Sequence, residues 1–331
     1  MAITVNGAFS EFLSEVVNLD ASDVGKAKTS RDYLIDNIIR FSGADNFFNI
    51  YSEHNLNYGS FTRHTKIQPL DDVDIMICFS AFNDNAARTY NDENEEIIIN
   101  GIQFDADNDL LTASYHLNST KVINRLISKL SEINNYSKAE MHKNHEAATL
   151  QLQSYSWNFD IVPCFYTDTG LYLIPNGTGN WKKTDPRIDN ERTTEINRKH
   201  KGKVLDVIRL MKYWNNRKVT RRIDSYLLEC MILSYYEEKQ VSDNYWVDLE
   251  FRDLLNALSS AILNSVPDPK GIQGDLNTFS VFERNLISSA LSEVYNKACE
   301  ASSLELTGKD HKKSIAKWSE IFGSRFPSYS N

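Results

Sequence analysis

Two hydrophobic rhythms run along the chain, and one gives way to the other near residue 190. Before that point short stretches alternate apolar and polar residues with the period of two that marks a half-buried strand. Val73, Ile75, Ile77 and Phe79 alternate with Asp72, Asp74, Met76 and Cys78, and Trp157, Phe159 and Ile161 alternate with Asn158, Asp160 and Val162. Further strands are expected over residues 49–57, 147–155 and 171–174, the last followed by turn chemistry in Pro175-Asn176-Gly177-Thr178-Gly179. Helical spacing of apolar residues predicts helices over residues 9–19, 30–42 and 119–133, with Thr29 or Ser30 and Ser119 as N-caps. Beyond residue 190 the pattern is almost wholly helical. Over residues 203–216, Val204, Val207, Ile208, Met211 and Trp214 form one stripe, and Asp206, Arg209, Lys212 and Asn216 form a polar track. The expected fold class is therefore α+β: residues 1–190 as a lobe with a mixed or antiparallel sheet and N-terminal helices, and residues 191–331 as a helical lobe.

Residues 81–110 interrupt this order with a polar, acidic insertion that includes Asp92-Glu93-Asn94-Glu95-Glu96. It is expected to form loop around one short strand at residues 97–99, either as a lid or as a solvated excursion. The chain has 331 residues, 41% of them hydrophobic, which is enough for two substantial cores. No run approaches the roughly 18 apolar residues of a membrane span, and residues 1–9 lack the pattern of a secretory signal. The four cysteines, Cys78, Cys164, Cys230 and Cys299, are far apart with no Cys-x-x-Cys pair, which suits a reducing, cytoplasmic location. A net charge of −9 is a poor match to a protein that coats nucleic acid. Local basic groups such as Lys199-His200-Lys201 and Arg221-Arg222 read as solvated helix ends or loops. His142 and His145 have no third ligand at a sensible spacing and do not read as a metal pair.

The densest chemistry lies in Gly59-Ser60 followed, after eleven intervening residues, by Asp72-Val73-Asp74-Ile75. A Gly-Ser turn at the start of a helix can offer backbone N–H groups and a hydroxyl to phosphate oxygens. Carboxylates at i and i+2 on a strand share a face. There they can hold divalent cations such as Mg²⁺, which takes one or two carboxylates plus substrate phosphates. The alternative is that Asp71, Asp72 and Asp74 only solvate the entry to a surface strand. Asp160 stands in the middle of an apolar strand, where an acid is costly unless it is paired or metal-bound. A salt bridge at a sheet edge is the alternative there. Together the three acids suggest a two-cation clamp for in-line displacement at phosphorus.

These residues, with Phe61-Thr62-Arg63-His64-Thr65, Pro69-Leu70, Ile161-Val162-Pro163, Ile174-Pro175-Asn176-Gly177 with Trp181, Thr184-Asp185-Pro186, Leu210-Met211-Lys212-Tyr213-Trp214 and Asp224-Ser225-Tyr226-Leu227, occur in an order that resembles the bacterial CD-NTases. These are relatives of cyclic GMP-AMP synthase and oligoadenylate synthetase within the polymerase beta-like nucleotidyltransferases. The resemblance covers residues 30–240 and implies a polymerase beta-like lobe, an oligoadenylate synthetase-like helical lobe and an active site in the cleft between them. It implies Asp72, Asp74 and Asp160 as catalytic metal ligands for two Mg²⁺, with Mn²⁺ as a substitute. It further implies Gly59, Ser60, Lys212, Ser225 and Tyr226 as nucleotide-binding residues, Lys212 at the donor triphosphate and Tyr226 stacked on its base. From the residues alone, Lys212 reads as an exposed helix lysine and Tyr226 as an amphipathic core residue.

The activity implied is synthesis of a cyclic di- or trinucleotide from NTPs, ATP or GTP foremost, with release of pyrophosphate. The product would activate an effector protein in CBASS-type antiphage signalling. Activation by nucleic acid is not expected, and the chain is expected to be monomeric unless bound to regulatory partners. The same three acids would also serve transfer of a nucleotide onto RNA or a protein. Their joint retention argues against a third reading, a catalytically silent nucleotide sensor.

Overall fold

The structure is a computed structural model that describes residues 2–44, 47–81, 90–93, 96–99, 108–217 and 221–330. It divides into two compact units. A sheet-bearing unit comprises Ala21–Arg63 and Leu70–Arg187, and a helical unit comprises Met1–Asp20, His64–Pro69 and Ile188–Asn331. The first twenty residues and the short segment His64–Pro69 thus count with the helical unit, whereas the sequence pattern grouped both with the sheet.

The helical unit begins with α1 (Val5–Phe12), whose Thr4 cap accepts from the Gly7 N–H. It continues as a wide π turn over Leu13–Val17. The sheet unit opens on α2 (Ala21–Ile39), which starts nine residues earlier than expected; its buried stripe, Ala27, Leu34 and Ile38, is too thin before residue 30 for the apolar pattern to show it. β1 is two residues, Leu56–Asn57, rather than the nine expected. The preceding chain touches the next strand at Ile50↔Phe79 and then turns away through a 3₁₀ turn at Ser52–His54. After α3 (Gly59–Thr62) come β2 (Asp72–Phe79), β3 (Tyr90–Glu93) and β4 (Glu96–Ile99). The expected strand at 97–99 lies within β4; most of the rest of the insertion lies outside the described residues.

α4 (Ser119–Ser131) buries Val122, Leu126 and Leu130 as the pattern indicated, but its cap is Asn118, whose side chain accepts from the Lys121 N–H. β5 (Glu140–Asn144) and β6 (Ala147–Gln151) form a hairpin that the polar sequence concealed. β5 exposes Glu140, His142 and Asn144, and His145 takes a left-handed φ of 47° in the turn. β7 (Asn158–Tyr166), β8 (Tyr172–Pro175) and β9 (Trp181–Thr184) complete a mixed sheet of nine strands among the described residues. Its main path is β1-β2-β7-β8-β9-β4-β3, with β6 also on β7 and β5 outside it. β9 escaped the sequence reading because only Trp181 marks its four residues as apolar.

β7 is the hub. It runs parallel to β2 from Asn158 to Phe165 and antiparallel to β6 and β8. On one face α2 and α4 cover β2 and β7. The other face carries the acids and then Met76, Cys78, Val162 and Cys164, which pack with Ala147 and Tyr172. All four cysteines are free thiols.

The helical unit adds α5 (Pro186–Lys199), α6 (Val204–Asn216), α7 (Ser225–Glu238), α8 (Val247–Ala261), α9 (Val281–Leu306) and α10 (His311–Phe322). α8 packs on α1, α6, α7 and α9. Phe9 of α1 meets Trp318, Phe322 and Phe326 edge-on at 5.0, 5.6 and 5.1 Å, which explains why the N-terminal residues belong here. Among the described residues no helix is long and apolar enough to cross a membrane.

Candidate active site

The parallel pairing of β2 with β7 sets the acids side by side. Asp74 is the register partner of Asp160, and Asp72 is the partner of Asn158. Asp72, Asp74, Asn158 and Asp160 therefore share one face at the start of the two strands. All four are half-buried, while Val73, Ile75, Phe159 and Ile161 between them are buried on the other face. Apolar burial of the alternate residues is what holds this register: a slip by one would turn every acid into the core.

The Gly59 turn lies against the same acids. Gly59 has φ +76°, and a Cβ there would fall 1.8 Å from Asp74 Oδ2. Only glycine lets the backbone approach the carboxylate this closely and adopt that φ. The preceding residue, Tyr58, donates its N–H to the Asp74 carbonyl at 3.5 Å. Burial pushes the Tyr58 phenol well above its usual pKa, and the carboxylates of Asp74 and Asp160 push it further, so it stays protonated beside them. Ser60 follows in α3, half-buried.

Among the described residues no three His, Cys, Asp or Glu side chains already converge as a finished metal cage. The donor set nonetheless suits a hard cation whose remaining ligands come from substrate phosphates. Three carboxylates stand on one face, and beside them the Asn158 Oδ1 is buried without a hydrogen-bond partner.

The other expected nucleotide residues lie in the helical unit. Lys212 is not on an exposed track. Its ammonium is buried in an ion pair with Glu229, the side chains being 7% and 3% exposed. Thr65 joins them, donating to Glu229 at 3.0 Å and accepting from Lys212 at 3.4 Å. Ser225 is exposed at the start of α7, behind an Asp224 cap that accepts from the N–H groups of Tyr226 and Leu227. Tyr226 is half-buried, and its hydroxyl donates to Asp189 at 2.8 Å.

Comparison with known proteins accords with this geometry. Residues 98–197, which include Asp160, match the family described as Second Messenger Oligonucleotide or Dinucleotide Synthetase domain. A probable cyclic nucleotide synthase of Bacillus cereus (strain VD146) is 42% identical over 340 residues, covering 99% of each chain. The chain belongs to the bacterial CD-NTases. It is a nucleotidyltransferase. Half of this CD-NTase (51% of it, and 51% of the relative) is also 28% identical to a cyclic AMP-AMP-AMP synthase of Acinetobacter. Its fold is that of Escherichia coli CdnC solved in a complex with HORMA-deltaN (TM-score 0.69, 15% identity, 97% of this chain and 98% of that one). It is also that of Vibrio cholerae DncV, a cyclic AMP-GMP synthase solved with nonhydrolyzable GTP (TM-score 0.65, 11% identity, 98% and 96%).

Two residues beside the three acids were not singled out from sequence. Thr149 on β6 is the register partner of Asp160 and donates its hydroxyl to Asp160 Oδ1 at 2.6 Å. It is 3% exposed. The signal available was a lone hydroxyl in the apolar run Ala147-Ala148-Thr149-Leu150, but its target is decided by β6–β7 pairing. Asn158, two residues before Asp160, was legible by the same i, i+2 rule that found Asp72 and Asp74.

Proposed function

We propose that this CD-NTase joins NTPs into a cyclic di- or trinucleotide second messenger, releasing pyrophosphate. The observation that carries this reading is the register pair Asp74–Asp160 with Asp72 on the same face and the Gly59 turn against Asp74. Asp72, Asp74 and Asp160 would hold two Mg²⁺, or Mn²⁺ in their place. Once bound, such ions neutralise triphosphate charge and acidify an acceptor hydroxyl. The chain itself supplies position and charge. Thr149 keeps one oxygen of Asp160 directed by its short hydrogen bond. Gly59 and Ser60 bring backbone N–H and hydroxyl donors to the donor phosphates. Lys212 adds positive charge there, and Ser225 and Tyr226 hold the donor nucleotide, the Tyr226 ring against the base. The acceptor ribose hydroxyl attacks the α-phosphorus, the α–β anhydride breaks and pyrophosphate leaves. A second transfer closes a dinucleotide ring, or a second and a third build and close a trinucleotide ring, each with loss of one further pyrophosphate. The product activates an effector in CBASS-type antiphage defence inside the cytoplasm. The relative's cyclic AMP-AMP-AMP product and the chain's net charge of −9 favour nucleotides over RNA as acceptors.

The test is a product assay. Purified protein is incubated with ATP, GTP, CTP and UTP, singly and mixed, with Mg²⁺ or Mn²⁺, then treated with phosphatase and read by mass spectrometry. A phosphatase-resistant cyclic species, absent from Asp72→Asn/Asp74→Asn, is the expected result. Labelled nucleotide appearing on RNA or protein instead would overturn it.

A further inference from the structure

The hydroxyl of Tyr226 has more partners than a phenol needs. Asp189, from α5, accepts its hydrogen at 2.8 Å. Asp268 lies 3.3 Å from the same oxygen, and the Lys270 ammonium also meets it. Lys270 in turn pairs with Asp189 at 3.3 Å and with Asp268 at 3.1 Å. The charged side chains are enclosed: Lys270 is 4% exposed, Asp268 0% and Asp189 11%. Burying three charges is costly and is rarely the most stable way to fill a core. A single acceptor would satisfy the phenol.

The loop that delivers Lys270 is built for it. Asp268 Oδ2 accepts the N–H groups of Ile272 at 3.1 Å and Gln273 at 3.0 Å, and Oδ1 accepts that of Lys270 at 3.2 Å. The ends are tied by Asp268 N–H to the Gly274 carbonyl at 2.9 Å and Leu276 N–H to the Val266 carbonyl at 2.8 Å. Lys270 therefore sits on a braced turn, 4.2 Å from the centroid of the Tyr226 ring. A phenolic hydrogen lies in the plane of its ring, so fixed partners at the oxygen also set the plane.

We propose that Asp189, Lys270 and Asp268 anchor the Tyr226 hydroxyl so that the ring is held in one orientation to receive the donor base. This deepens the proposed function and rests on its reading of Tyr226. The three residues are positioning residues; none needs to touch the nucleotide. A ring held in advance gives up little freedom when a base stacks on it, and ordering one loose side chain weakens binding by about three- to tenfold.

Calorimetric titration of the full chain with the α,β-methylene analogues of ATP and GTP tests this, alongside steady-state pyrophosphate release and melting temperature. Tyr226→Phe keeps the ring and the three charges but removes the anchored oxygen. Lys270→Met removes the central cation. Both are expected to weaken analogue binding about three- to tenfold, with the loss falling on KM rather than kcat. Tyr226→Leu removes the ring and is expected to weaken it further. If Tyr226→Phe and Lys270→Met bind like the parent while Tyr226→Leu is weaker, stacking stands and the anchor is refuted. If Tyr226→Leu binds like the parent, the stacking reading falls and the anchor with it. If Lys270→Met does not fold, Tyr226→Phe decides alone. A lowered melting temperature in Tyr226→Phe with unaltered analogue affinity would make the cluster purely structural and overturn the proposal.

Discussion

The acid face of the sheet and the charged interior of the helical unit hold carboxylates in opposite ways. Asp72, Asp74 and Asp160 are half-buried, and backbone pairing of neighbouring strands sets their spacing. Glu229 and Asp189 are held by buried lysines and hydroxyls from other elements, and Asp268 by Lys270 and its own loop: Thr65 lies 164 residues from Glu229 and 147 from Lys212, and Lys270 lies 81 from Asp189. In the sheet, strand register brings the acids to one face. In the helical unit, charge does the positioning and is largely consumed in doing so. Loss of one group should therefore cost chemistry in the first region and stability in the second.

The largest effect that would break this contrast lies at the acids. Asp160→Asn, or Asp72→Asn, is expected to lower nucleotidyl transfer by on the order of 10²–10³-fold or more while the far-UV spectrum and melting temperature stay near the parent's. A variant that loses its fold along with its activity would place the acids with the structural charges instead. Gly59→Ala should come next. The added methyl meets the Asp74 carboxylate and the residue must keep φ +76°. Roughly 10²-fold loss of activity, with about 1–2 kcal/mol of stability, is the expected outcome in a turnover assay and a urea melt.

Lys212 combines a buried structural charge with a proposed role at the donor phosphates. Lys212→Met strands Glu229, and Glu229→Gln strands Lys212; either should cost about 3–5 kcal/mol in denaturant unfolding. The double variant Lys212→Met/Glu229→Leu should regain much of that stability. Activity should not return with it, because the cation proposed at the donor phosphate is gone. Full recovery of both would mean that Lys212 is only a core ion pair.

Thr149→Val tests a place where the sheet site relies on a side-chain partner. Loss of the 2.6 Å bond to Asp160 should cost about 1 kcal/mol of stability and severalfold in Mn²⁺ affinity, read by electron paramagnetic resonance. The smallest effect concerns pH. Burial opposes ionisation of Asp268, but the N–H groups of Gln273 and Lys270 and the Lys270 ammonium outweigh it and hold the carboxyl below its usual pKa. Its contribution to stability is thus fully present above the unfolded value of about 3.9 and is lost as pH falls through the depressed folded value. Unfolding free energy should be flat in this respect from pH 7 to about 5 and drop below about pH 4, with Asp268→Asn reducing that slope.

How far these features could be read in advance follows the range of the interactions behind them. Period-two alternation placed β2 and β7 and the face of their acids, and the stripe of Val204, Val207, Ile208, Met211 and Trp214 placed α6, all of it local information. Gly59 was legible because a turn needing glycine announces itself. The β5–β6 hairpin was not, since its outer strand is polar and its turn uses His145 rather than glycine or asparagine. Thr149 on Asp160, the burial of Lys212 and the convergence of Asp189, Lys270 and Asp268 on Tyr226 left no local trace either. Local periodicity settles which residues share an element and a face, because strand and helix geometry repeat every two or 3.6 residues. Which faces meet, and whether a lysine ends in water or in a buried ion pair, was decided only by tertiary packing. That depends on partners dozens to hundreds of residues away, whose pairing no local period encodes.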